Sequence, residues 1–288
     1  MRLAGRLTPL ILAVLMPATG PSATGEDPSL TLSWADNMLT VQGPQVPGGA
    51  FQVWYIEAFC RPGSTDRDWG RTVIPHETTS VEAAPDGRSV KLRSELQDGV
   101  IVDHEIRAGA DEVEFLLVAT NPTDRASEAH WAQPCVRVAA FTGVEEERSS
   151  EDYLPKCFVF LDDKPAFLPT QPWATKARYT PGQVWCPAHV DRDDVNPRPL
   201  SPLVPSNGLI GCVSADRSEI LATAWEPYQE LFQGVIVCLH SDFRIGGLEP
   251  GQTKRIRGKI YLIDNDMDEL LRRYRRDFPE HGRDGRRE

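Results

Sequence analysis

Basic side chains are in short supply: 31 Lys and Arg stand against 42 Asp and Glu, a formal net charge of −11. Proteins that hold nucleic acid draw their affinity from clustered cations, so this balance argues against such a partner. Beyond residue 17 there is no long apolar run. A bilayer-spanning helix needs about 20 apolar residues, so no membrane span is expected. Also missing are a Cys-x-x-Cys pair, zinc-finger spacing, a glycine-rich phosphate loop and a Gly-x-Ser-x-Gly elbow. The sequence therefore predicts no cofactor and no metal centre. Two weaker patterns do not change that. Cys186-Pro-Ala-His189 offers only two ligands, and the oxygen-rich run Asp191, Asp193, Asp194, Asn196 lacks the glycine and closing glutamate of a calcium loop.

What is present is apolar content of 40%, enough for a real core, with 24 prolines and 22 glycines in non-repeating order. Long helices should be scarce. Met1–Gly25 reads as a signal peptide: Arg2 and Arg6 form the charged start, Leu10–Met16 the apolar stretch, and Ala23-Thr24-Gly25 the small-residue cleavage region. Export to the periplasm or medium is the expectation. The six cysteines all lie after that point. An even number in an exported chain permits up to three disulfides. Cys60, Cys157 and Cys186, nearer loops, are the better candidates; Cys135, Cys212 and Cys238 sit in apolar runs where a free thiol packs as a small hydrophobe.

Strand patterns dominate the chain. Leu30–Trp34 and Met38–Val41 flank the turn pair Asp36-Asn37, and Phe51–Phe59 is a β-prone run. Ser89–Leu92 pairs with Val100–Arg107, where Val100, Val102, His104 and Ile106 share one face. Val113, Phe115, Leu117 and Ala119 repeat that alternation. Further hairpins are expected around Asp162-Asp163 and around Ala215–Ser218, then strands over Gly234–Leu239 and Lys254–Ile263. Pro169–Pro205 is too proline-rich for central strands and reads as an ordered loop carrying Trp173, Tyr179 and Trp185. Only the end is helical: Asn265 is the expected N-cap, Leu270, Leu271, Tyr274 and Phe278 form a stripe, and Pro279 stops the helix. The fold class is therefore all-β, a large antiparallel sandwich over 26–264, with a C-terminal helix and tail over 265–288.

Two stretches carry a resemblance. Asp103-His104-Glu105-Ile106 through Asn121-Pro122-Thr123 to Ala129-His130-Trp131, and Val237-Cys238-Leu239-His240 through Leu248-Glu249-Pro250-Gly251 to the strand Ile256–Ile263, resemble the galactose-mutarotase-like, or aldose 1-epimerase-like, supersandwich. The whole chain is also similar to secreted bacterial proteins. The resemblance implies sugar chemistry with His130 as the catalytic histidine. The family places a glutamate base after a late strand; here His240 occupies that slot, and the nearest acid is Glu226.

Opening a sugar ring needs one group to protonate the ring oxygen and another to take the anomeric proton, roles that suit a histidine and a carboxylate. His130 and Glu226 are the candidate catalytic pair. His76, Trp131, Gln133, Trp173 and His240 are the candidate sugar contacts, because aromatic planes stack on sugar CH faces while amides and imidazoles fix hydroxyls. The structural alternative is ordinary: histidines bonded within turns, Glu226 capping a loop before Pro227, tryptophans packed over the sandwich ends. At the level of function the alternative to an exported carbohydrate-binding protein is a non-enzymatic structural or interaction module of the cell envelope.

Overall fold

A computed structural model describes residues 29–63, 69–144, 152–170, 183–195, 200–234 and 236–281. The expected leader Met1–Gly25 and Trp173 lie outside these residues. In chain order the elements are β1 (Thr31–Ala35), β2 (Met38–Gln42), β3 (Ala50–Cys60), α1 (Trp69–Thr72), β4 (Val73–Ile74), β5 (His76–Ala83), β6 (Ser89–Leu96), β7 (Ile101–Ala108), β8 (Glu112–Thr120) and β9 (Trp131–Arg137). There follow α2 (Ala139–Thr142), β10 (Cys157–Leu161), β11 (Lys164–Phe167), β12 (Val184–Trp185), β13 (Ile210–Val213), β14 (Glu219–Glu226), β15 (Tyr228–Gln233), β16 (Cys238–Arg244), β17 (Thr253–Asp264) and α3 (Met267–Asp277).

The strands form two antiparallel sheets packed as a sandwich. One has the order β1-β2-β3-β9-β16-β15-β12, with β4 also on β3; the other runs β11-β10-β13-β14-β17-β8-β7-β6-β5. Local chemistry accounts for the hairpins. Asp36 and Asn37 take φ of 51° and 60°, and Asp162 and Asp163 take 51° and 59°. Both pairs are left-handed, as a two-residue hairpin turn demands, and Asp and Asn tolerate that region best after glycine. In β7 the alternation buries Val102, His104, Ile106 and Ala108. In β8 it buries Val113, Phe115, Leu117 and Ala119. These rows meet the inward side chains of β3, β9 and β16 in one apolar core.

The structure corrects several expectations. The strand expected over Gly234–Leu239 starts at Cys238 and runs on to Arg244, and β15 before it was not foreseen. Helix α3 is capped by Asp266, whose carboxylate accepts from the Asp268 and Glu269 amides, whereas Asn265 donates to the Arg217 carbonyl. All six cysteines are free and buried, including the disulfide candidates Cys60, Cys157 and Cys186. Leu270, Leu271, Tyr274 and Phe278 seal a second core against Ala222, Ala224, Tyr261 and Ile263 on the outer side of β14 and β17. Within the proline-rich segment the described residues hold β12, a two-residue edge strand, and a single 3-10 turn at Arg192–Asp194. Among the described residues no helix is long and apolar enough to cross a membrane.

Candidate functional site

The eight-stranded sheet turns Ala132, Val136, Leu231, Leu239 and Phe243 into the shared core. Alternation therefore sends Gln133, Cys135 and Arg137 of β9, and Cys238, His240 and Asp242 of β16, to the opposite face. Register aligns them: Cys238 lies across from Arg137, Phe232 from His240, and Glu230 from Asp242. A sheet face of this composition normally sits in water. Here it is covered. Val184, Cys186, Val190 and Val195 pack on Phe232 at one end, and Trp69 packs with Trp131, Ala58 and Cys60 at the other. Gln133, Glu230, His240 and Asp242 are consequently buried. The face opens beside β3, where the Glu57 side chain keeps 21% exposure. Trp54 is half-buried at that mouth, with the Arg137 guanidinium 5.9 Å from its ring centre.

His240 is the centre of the face. Its Nε2 lies 3.4 Å from Cys238 Sγ and 4.0 Å from Glu57 Oε2, and its Nδ1 lies 3.4 Å from Asp242 Oδ1. The ring stacks on Phe232 at 4.3 Å. Gly234 completes the packing: a Cβ there would stand 2.3 Å from Cys238 Sγ and 3.2 Å from His240 Nε2. Burial pushes the Asp242 carboxyl up to about 7 against the pull of His240. Burial also raises Glu57, again partly offset by His240. For His240 burial opposes the charge, but Cys238 and Asp242 outweigh it and the imidazole is held above its usual value. Several buried polar atoms have no hydrogen-bond partner among the described residues: Glu57 Oε2, Gln133 Oε1, Asp242 Oδ2 and Trp131 Nε1. Such groups cost free energy unless something else meets them.

A second cluster borders this face. Asp194 Oδ2 lies 3.5 Å from His130 Nδ1 and 3.0 Å from Arg244 Nη1, and its Oδ1 accepts from the Gly63 amide at 2.8 Å. Burial alone would raise Asp194; the hydrogen bonds from His130, Arg244 and Gly63 overcome it and hold the carboxyl at about 2. Asp191 accepts from the Asp193 amide.

Of the residues singled out from sequence, the structure brings Gln133 and His240 together on the polar face. Trp131 is wholly buried beside them and offers only its Nε1–H. His130 and Glu226 hold different partners. Glu226 ends β14 in the other sheet and pairs with His281, while His130 faces Asp194. Between the two run the last residues of β16 and the turn after it: Arg244 N donates to Pro227 O, and Ile245 N to His130 O. Glu226 lines two grooves of about 650 and 570 Å³ along the outer side of β17 and beside Tyr228. His76 begins β5 and packs edge-on to Phe59, with ring centres 4.9 Å apart. Glu57, Cys135, Cys238 and Asp242 were missed. Their signal is present in part, as Cys238-x-His240-x-Asp242 on one strand face, but Glu57 and Cys135 lie far upstream.

No protein-family model and no curated protein matches this sequence. Among solved structures the chain is similar to a galactose mutarotase-like protein from Lactobacillus casei, at 7% identity and TM-score 0.44, covering 81% of this chain and 99% of that one. It is similar also to a galactose mutarotase-like protein from Clostridium acetobutylicum, at 10% identity and TM-score 0.43, covering 81% and 94%. An alpha-N-acetylgalactosaminidase from Bifidobacterium bifidum aligns at 11% identity and TM-score 0.46, over 88% of this chain and 38% of that one. The likeness is one of fold.

Proposed function

We infer that this chain is an exported carbohydrate-binding protein whose ligand lies on the polar face of the eight-stranded sheet. One observation carries the reading: buried acceptors on Glu57, Gln133 and Asp242, and the Trp131 donor, gather on one covered face with hydrogen-bonding capacity to spare. A neutral ligand rich in hydroxyl groups, each able to donate and accept, fits carboxylates and amides better than an anion does. The indole plane of half-buried Trp54, beside Glu57 on β3, suits the CH face of a sugar. Binding is favoured over turnover by the separate partners of His130 and Glu226. Export rests on the Arg2, Arg6 and Leu10–Met16 pattern of the leader.

A glycan array followed by calorimetric titration of the best sugar tests the reading. Wild type is expected to bind saturably, and Gln133→Ala to weaken binding by about tenfold or more, since it leaves a buried group of the complex unpaired. A folded wild type that binds no sugar on the array overturns it. Polarimetric mutarotation of wild type against His130→Ala and Glu226→Gln should show no difference from background. Cell fractionation with N-terminal sequencing should find a mature chain starting near Glu26.

A further inference from the structure

We propose that Cys135, Cys238 and His240 bind a divalent d-block cation, zinc fitting best, with the Glu57 carboxylate as fourth ligand. The ion would take Glu57, one of the acceptors assigned above to the sugar, and leave Gln133, Asp242 Oδ2 and the Trp131 donor for it.

The geometry comes first. One donor atom from each of Cys135, Cys238 and His240 lies within 4.8 Å of the others, and all three residues are buried. Tetrahedral zinc, with bonds of about 2.3 Å to sulfur and about 2.0 Å to nitrogen, spaces its ligands roughly 3.4–3.8 Å apart. The 3.4 Å between Cys238 Sγ and His240 Nε2 already matches such an edge. Glu57 Oε2, 4.0 Å from the same nitrogen, stands about 0.7 Å beyond the roughly 3.3 Å of a nitrogen–oxygen edge, so the carboxylate would have to swing inward to complete the tetrahedron. The sheet delivers these atoms because of its register. Leu239 opposite Val136 and Phe243 opposite Ala132 put His240 directly across from Cys135, with Cys238 on the same face two residues away. Cys135 and Cys238 are thus diagonal neighbours, whose backbones stand roughly 7–8 Å apart, at or past the limit for a disulfide. Their thiols converge without being placed to bond to each other.

The surroundings complete a metal site. Zinc-binding histidines commonly give their second nitrogen to a carboxylate, which aims the lone pair of the first at the ion. Asp242 Oδ1, 3.4 Å from His240 Nδ1, occupies that position and leaves Nε2 facing the two sulfurs. Charge is largely offset too. Two thiolates and the Glu57 and Asp242 carboxylates carry four negative charges; a divalent ion removes two, and Arg137, within electrostatic reach of Glu57 and both thiols, offsets a third. Thiolate with imidazole selects zinc and its neighbours over calcium or magnesium, which prefer oxygen. The imidazole is stacked on Phe232, and Gly234 lets the backbone lie against the Cys238 sulfur, where a Cβ would stand 2.3 Å away.

The test uses the full chain purified under reducing conditions. Elemental analysis should find about one zinc per chain. After chelation, cobalt(II) titration should produce the near-ultraviolet sulfur-to-cobalt charge-transfer band, and Tm should fall on chelation and recover with zinc. Cys135→Ser and Cys238→Ser should lose the band and bind metal at least tenfold more weakly, whereas Cys212→Ser, a buried thiol outside the cluster, should keep both. Where a serine variant does not fold, the wild type decides alone: zinc should protect Cys135 and Cys238 from alkylation as mapped by mass spectrometry. A folded wild type with neither bound metal nor a charge-transfer band overturns the proposal. So does a cobalt spectrum unaltered in the two serine variants, or a Cys135–Cys238 disulfide in freshly isolated protein. None of these assays contains sugar, so their outcome is separate from that of the glycan array.

Discussion

Asp194 shows how one side chain ties distant segments together. Its carboxylate meets His130 from the approach to β9, Arg244 at the end of β16 and the Gly63 amide after β3. The side chain is 8% exposed, so water screens these bonds little. Held at about 2, below the ordinary value of 3.8, it gives stability that is present above pH 4 and lost as pH falls through the folded value. The sign follows because the unfolded chain binds the proton first. Asp194→Asn is expected to cost about 2 kcal/mol at pH 7 and to flatten the stability profile between pH 4 and pH 2, read by urea unfolding across that range. An unchanged midpoint at pH 7 would show that the network contributes nothing.

At the scale of elements, the contact between β14 and β17 depends on one residue without a side chain. Gly258 lies opposite Trp225 in the ladder, and a Cβ there would stand 2.4 Å from the indole ring. The ring instead packs against Phe115 and Phe243, bridging both sheets at 5.1 and 4.8 Å. Gly258→Ala must push the indole out of this arrangement, so a loss of about 1–3 kcal/mol is expected, with altered tryptophan fluorescence. A thermal midpoint equal to wild type would show that the ring has room to yield. Helix α3 works differently. Its stripe closes the outer core of β14 and β17, Tyr274 Oη accepts from the Gly208 amide at 2.8 Å, Asp277 accepts from the Tyr261 hydroxyl at 3.0 Å and Arg273 pairs with Asp111 at 2.7 Å, so the helix is bound to the sandwich by apolar area and several polar contacts.

For the molecule as a whole, acid is the expected weakness. His104 is fully buried between the sheets, its Nδ1 2.9 Å from the Tyr55 hydroxyl and its Nε2 3.0 Å from Ser94 Oγ. Burial lowers its pKa to about 3. The unfolded chain takes up this proton near pH 6.5, so the associated stability is whole above that pH and is lost as pH falls towards 3. His104→Leu should remove this limb from the pH profile while costing about 1–3 kcal/mol at pH 7, because the buried Tyr55 hydroxyl loses its partner. Ser94 keeps Thr78, 2.7 Å away. Denaturant midpoints at pH 7, 5 and 4 for both proteins check this; parallel curves would assign the acid loss to other groups.

Most strands were legible in the residues because their causes are local. Period-2 alternation in Val100–Arg107 and Val113–Ala119 names a buried face, and the pairs at Asp36-Asn37 and Asp162-Asp163 name turns, since few residues accept positive φ. The late helix was legible for the same reason, its cap misplaced by one residue. Strands β5 and β15 escaped because an edge strand needs no apolar face and a strand buried on both faces shows no alternation. The candidate site was legible only in fragments. Alternation says that Gln133 and Cys135 share a face, and Cys238, His240 and Asp242 another. It does not say that β9 and β16 are neighbours, that Glu57 comes in from β3, or that residues 184–195 fold over the result. Those facts depend on the order of strands and on which face is shielded from water, and both are set by long-range burial rather than by any short stretch of chain.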